Sequence, residues 1–331
     1  MLTPTADGAP AHEPGRKPKG RETEVRETAG SGTEGTDDSG STDRWVSAHV
    51  FTAHPLDLVI RDLVREVSGE LRRRGLIDLL FFLRHWQGGP HLRLRVRLTE
   101  PAAEPAVRAA LAAHAETFFQ ALPASAAMTE HQYRSLAAEL SAHEPESEPG
   151  TLAPNDTLAF LPYRPEHAKY GRGAALRAAE ESFAACSELA TAAVTARRST
   201  AQRTAYCFAL LTGTLDPRTA PPARRPDPAV VAQYRGRRDV LLGVARAARA
   251  AHAAAPEQAP AARERADADP VARWLTCCRR AQREAADPAR LAGHLTHLAC
   301  NRLGVRLDQE AALRGLARLA VAELTGSAGP A

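Results

Sequence analysis

His91, Arg93, Arg95 and Arg97 recur at every second position of the stretch GGPHLRLRVRL, residues 88–98. A strand turns successive side chains to opposite faces, so these four share one face and Leu92, Leu94, Val96 and Leu98 the other. The plain explanation is a half-exposed sheet with one apolar face and one charged face in water. Against it, like charges two residues apart repel one another, and no acidic residue interleaves on that face. Guanidinium groups also grip carboxylates and phosphates through two parallel hydrogen bonds, which an ammonium does not. The pattern therefore predicts an anion-binding wall.

Two further segments carry chemistry-bearing side chains. In HLTHLACNRLG, residues 294–304, helical spacing aligns Arg290, His294, His297 and Asn301 on one stripe. An ordinary amphipathic helix with two surface histidines explains that stripe equally simply. No carboxylate or third histidine sits at useful spacing beside the pair, so no metal is expected. In FLPYRPEHAKYGRG, residues 160–173, a strand runs into a helix through an elbow. Glu166, Lys169 and Tyr170 would then stand at the mouth of the sheet, although Pro165 and the glycines alone account for a turn there. The chain has no G-x-G-x-x-G after a strand, no Walker A motif, no H-E-x-x-H and no G-x-S-x-G.

The elements that must hold these residues follow from hydrophobic spacing. Trp45, Ser47, His49 and Phe51 alternate with Val46, Ala48 and Val50, which predicts a strand with both faces partly covered. Leu56, Val59, Ile60, Leu63, Val64, Val67 and Leu71 fall at helical spacing, with Gly75 as the stop. An apolar strand over 77–86, the turn QGGP and the basic strand form a hairpin. Helical patterns follow within 101–141, then a loop at 143–156 and a strand over 157–163. Helices are predicted at 174–197, 200–212, 229–251, 271–284, 288–304 and 308–324, with Pro-rich connections at 216–228 and 252–270. The fold class is α+β: a mostly helical single domain over 44–325, with a small antiparallel or mixed sheet.

The 331 residues carry 43 basic and 39 acidic side chains, a net charge of +4 that is too mild for a dedicated nucleic-acid binder. Residues 1–43 are Gly, Ser, Thr, Pro and charge, and cannot offset their ordering entropy by burial, which predicts a disordered tail. The five cysteines form no C-x-x-C pair and no zinc spacing, and no apolar run approaches a membrane span. A reduced, cytoplasmic protein that does not enter membranes is expected.

In sequence order, W…HVF, LLFFLRHWQGGPHLRLR, YRPEHAKYGRG…AAEESF and HLTHLACNRLG resemble the lantibiotic dehydratase C-terminal domain, also called the thiopeptide-type bacteriocin biosynthesis domain, over roughly residues 44–325. The resemblance implies work on ribosomally made precursor peptides. Some members eliminate glutamate from glutamylated Ser or Thr, leaving dehydroalanine or dehydrobutyrine. Others join two dehydroalanines in a formal [4+2] cycloaddition, form a pyridine and release the leader. By resemblance, Arg93 and Arg95 match the family's H-x-R-x-R arginines and His297 the histidine before NRLG, which makes these three the catalytic candidates. His91, Tyr163, Glu166, Lys169 and Tyr170 are the substrate-binding candidates. One departure stands out: Pro165 and Lys169 occupy the two positions that are usually arginine in the elbow motif of elimination members, and Arg172 replaces a glycine. Elimination of glutamate is the first expectation and pyridine formation the alternative. A non-catalytic role, binding the leader beside a larger dehydratase subunit, is the third. The implied partners are the leader-bearing precursor peptide and a separate glutamylating dehydratase subunit. No cofactor and no direct contact with tRNA are expected.

Overall fold

The computed structural model describes residues 44–123, 125–141, 149–216, 227–253 and 269–326. The tail expected at 1–43, residues 143–148 of the loop and most of the two Pro-rich connections lie outside the described residues. Strand β1 (Trp45–Phe51) leads into helix α1, which runs Leu56–Leu58, a wider π-helical stretch Val59–Val64 and Arg65–Arg73. Gly75 (φ +65°) ends α1, and Leu76 N–H closes back on Leu71 O at 3.0 Å. Strands β2 (Ile77–His85) and β3 (His91–Leu98) form the expected hairpin. Helices α2 (Glu104–Ala121) and α3 (Glu130–Ser141) precede the short strand β4 (Thr157–Phe160) and a single turn of helix, α4 (His167–Tyr170). Six longer helices complete the described residues: α5 (Gly173–Thr195), α6 (Thr200–Thr214), α7 (Pro228–Ala253), α8 (Pro270–Glu284), α9 (Pro288–Arg302) and α10 (Leu307–Leu324).

The sheet has the order β2-β3-β1-β4 and is antiparallel throughout. Its apolar face carries Val46, Ala48, Val50, Leu92, Leu94, Val96 and Leu98, all fully buried, and it meets α1 and α2. One apolar core runs from Trp45 to Ala320, and a small second cluster gathers Trp86, Tyr133 and Ala137 where α3 meets the hairpin tip. The turn between β2 and β3 needs its glycines: Gly88 and Gly89 have φ of +77° and +107°, and a side chain on Gly88 would crowd Thr151 O. Tyr133 Oη accepts from Gly88 N–H (2.8 Å) and donates to Gly150 O (2.9 Å), which secures the tip. No described helix is long and apolar enough to cross a membrane.

The helical half docks on the outer edge of β2, where Phe82 and Arg84 turn their main-chain groups away from β3. Phe82 N–H donates to Ser187 Oγ on α5 (3.1 Å), and Phe82 O accepts from Arg302 Nε on α9 (2.7 Å). Arg84 N–H donates to Asn301 Oδ1 (3.0 Å), and Arg84 O accepts from Asn301 Nδ2 (2.9 Å). The Asn301 amide thus pairs with the strand as another strand would. Removing it in Asn301→Ala strands one donor and one acceptor, so we expect the unfolding free energy to fall by about 2 kcal/mol or more in urea denaturation. Hydrogen exchange at the Arg84 amide should accelerate in the same variant. Unchanged protection there would mean that another group holds the edge.

Candidate functional site

Strand register assembles the polar face. In the β1–β3 ladder Phe51 lies opposite His91, His49 opposite Arg93 and Ser47 opposite Arg95, while β2 places Phe81, Leu83 and His85 on the same face. His91 Nδ1 lies 2.8 Å from Gly89 O. A carbonyl only accepts, so Nδ1 carries the proton and Nε2 is left to accept from Arg93 Nε (3.3 Å). Arg93 Nη2 also donates to Gln87 Oε1 (3.0 Å). Arg95 Nη1 lies 3.0 Å from His49 Nε2, and an always-charged guanidinium can only donate, so that nitrogen is bare too. His49 stacks on His91 with ring centroids 5.0 Å apart, and His85 lies 5.4 Å from His91. Burial first, then the neighbouring cations, hold all three imidazoles neutral: His91 is pushed down to about 3, and His49 and His85 well below the usual range.

Arg93 and Arg95 line a cavity of about 100 Å³ together with Tyr163, Glu166, Tyr170 and Phe183. The Arg95 guanidinium lies 5.6 Å from the Tyr163 ring centroid, and Tyr163 Oη donates to the buried Glu180 (3.0 Å). Burial, with Glu180 beside Tyr163 and Glu166 near Tyr170, pushes both phenols up, so they stay protonated. Arg302 completes the wall, fully buried, with its guanidinium 5.0 Å from the Phe183 ring centroid. Lys169 turns to Glu166 (Nζ–Oε2 2.6 Å) and does not line the cavity. His91 is fully buried and does not line the cavity, and its Nε2 meets Arg93.

His297 lies elsewhere. It lines a neighbouring cleft of about 510 Å³ between the Trp86 end of β2, α3 and the α9–α10 turn, and this cleft shares no lining residue with the arginine cavity. His297 Nδ1 meets Glu310 Oε2 at 2.9 Å. His294, one turn back, has its Nε2 buried without a hydrogen-bond partner and its ring 6.2 Å from that of Tyr170. Among the described residues no group of three His, Cys, Asp or Glu side chains is placed to hold a metal. The sequence reading missed His49, His85 and Glu310. For His49 the signal was present: once the strands are paired, it falls opposite the basic strand. Glu310 had none, because its partner lies across a helix turn.

The chain belongs to the lantibiotic biosynthesis dehydratase C-term family, whose model matches residues 45–321. No curated protein matches. Among solved structures, a pyridine synthase from thiomuracin biosynthesis, TbtD, is 22% identical with a TM-score of 0.66, over 86% of this chain and 100% of that one. TsrL is 18% identical with a TM-score of 0.52, over 85% of this chain and 95% of that one. The tRNA-dependent lantibiotic dehydratase MibB from Microbispora sp. 107891 is 22% identical with a TM-score of 0.49, over 88% of this chain but 29% of that one. At these identities the likeness is one of fold.

The buried imidazoles make stability pH-dependent. They are neutral in the folded chain and titrate near 6.5 when unfolded, so below that pH the unfolded chain binds more protons. Their contribution is complete above about pH 6.5 and is lost progressively toward about 3, where His91 itself protonates. His252 and His294 shift in the same direction. Between pH 6.5 and 5 we expect the unfolding free energy to fall with a slope approaching ~1.4 kcal/mol per pH unit for each of His49, His85 and His91. His49→Gln keeps an acceptor for Arg95 and removes one titration, so its slope should be shallower. An unchanged slope would show that His49 is not held neutral.

Proposed function

We propose that this chain is a peptide-modifying lyase that removes glutamate from glutamylated Ser or Thr of a ribosomally made precursor peptide. The observation that carries the reading is the convergence of Arg93 and Arg95 on one cavity, each oriented by a neutral imidazole. In the reaction a base takes the Cα proton, the electron pair forms the Cα=Cβ bond, and the Cβ–O bond breaks to release glutamate. The arginines hold the departing carboxylate and offset charge that develops in a partly water-excluded site. His297 is the base in this reading. Several bonds separate the free carboxylate of the glutamyl group from the Cα–H, so clamp and base work from neighbouring spaces. Leu298 lines the arginine cavity and His297 the cleft, so a peptide lying across α9 reaches both. The precursor peptide and a separate glutamylating subunit are the partners this reading requires.

A second reading is pyridine formation from two dehydroalanines. The separation of His297 from the arginines favours it, because a cleft of about 510 Å³ with its own histidine needs no carboxylate clamp. Glutamylated precursor peptide, followed by mass spectrometry, separates the two. Loss of glutamate with wild type, slowed about 10²-fold or more in Arg93→Ala, Arg95→Ala and His297→Ala with folding intact, is the expected result. Retained glutamate overturns the lyase reading. Leader release from a peptide already bearing dehydroalanines would then establish the second, and silence with both substrates would leave leader binding as the role.

A further inference from the structure

The turn between α9 and α10 brings together two residues that are 13 apart in sequence. Gly304 (φ +74°) reverses the chain, and Val305 N–H closes on Cys300 O at 2.9 Å, so α10 returns along α9. Glu310, nearly buried, then faces His297. Its second oxygen, Oε1, accepts from Arg314 Nε (2.9 Å), one turn further along α10. Arg314 Nη2 continues to Gly293 O (3.1 Å) and Thr296 Oγ1 (3.3 Å) on α9. The carboxylate is therefore fixed from both ends and cannot rotate away.

We propose that Glu310 is the positioning residue of His297: its carboxylate accepts from Nδ1–H, fixes the tautomer and leaves Nε2 as the ring's basic nitrogen for the cleft. An ionised carboxylate offers only lone pairs, so the imidazole nitrogen it meets at 2.9 Å must carry the proton. Burial pushes the Glu310 carboxyl up, but the bonds from His297 and Arg314 outweigh it and hold the group below the usual carboxylate range. Imidazole in water prefers its proton on Nε2, which would leave no base facing the cleft. A buried carboxylate behind a histidine is the standard means of reversing that preference. The catalytic part of the inference rests on the lyase reading; the tautomer does not.

The test reads the tautomer directly. In protein labelled with ¹⁵N-histidine, the His297 ring signals are assigned by their loss in His297→Gln. We expect a protonated Nδ1 and a bare Nε2 in wild type, and a shift toward Nε2–H in Glu310→Gln. On glutamylated peptide, Glu310→Gln should lower kcat on the order of 10²-fold with KM little changed, and Glu310→Asp should recover part of the loss. Should Glu310→Gln fail to fold, the wild-type tautomer alone decides: a bare Nε2 supports the proposal and a protonated Nε2 overturns it. An Nε2–H tautomer in wild type overturns the proposal, as does a rate loss in Glu310→Gln with the tautomer unmoved. If the tautomer responds to Glu310 while wild type eliminates no glutamate, the orienting role stands and the lyase reading alone falls.

Discussion

The outer edge of β2 is the constraint on which the rest of this molecule depends. An edge strand presents unpaired N–H and C=O groups, and these must be covered, charged or left to pair with another chain. Here Ser187, Asn301 and Arg302 cover the groups of Phe82 and Arg84. Among the described residues no strand pairs beyond β2, and this edge becomes a docking surface for α5 and α9. Both candidate spaces lie along this seam. Arg302 walls the arginine cavity and Asn301 the larger cleft, so the residues that fasten the two halves also shape what lies between them.

The arginines of β2 and β3 are held in two different ways. Arg84 and Arg203 share Asp57, at 2.5 Å and 2.8 Å, and the carboxylate orients both while offsetting one of their two charges. That arrangement suits a tie between α1, β2 and α6. Arg93 and Arg95 instead donate to the bare nitrogens of His91 and His49. A neutral imidazole fixes the direction of a guanidinium without cancelling its charge. The arrangement has a cost, because it buries imidazoles that must stay unprotonated.

Alternation and helical spacing made the framework legible: the β2–β3 hairpin, the two faces of β3 and the long helices follow from local patterns. The strand expected over 157–163 is shorter, Thr157–Phe160, because Leu161 N–H makes the last bond to β1 and Pro162 has none to give. Tyr163 therefore leaves the sheet and turns its ring toward Arg95. The site was less legible because partners are set by tertiary docking. Arg290, His294, His297 and Asn301 do share one stripe of α9, yet Asn301 meets the edge of β2, His297 meets Glu310 and His294 lies beside Tyr170. No spacing rule within α9 distinguishes these fates, since they depend on which neighbour passes each turn.

Separation of the histidine from the arginines follows from helix geometry. Consecutive residues on an α-helix point about 100° apart, so His297 and Leu298 leave α9 in different directions. With Leu298 against Phe183 and the arginines, His297 must look toward α3 and α10. Rotating α9 to bring His297 over the arginines would pull Asn301 and Arg302 from the edge of β2 and strand three main-chain groups. The seam that fastens the fold therefore holds His297 and the arginines on two separate spaces. In the proposed reaction this division has a use: the substrate bridges α9, and its two ends meet a charge clamp and a base that do not neutralise one another.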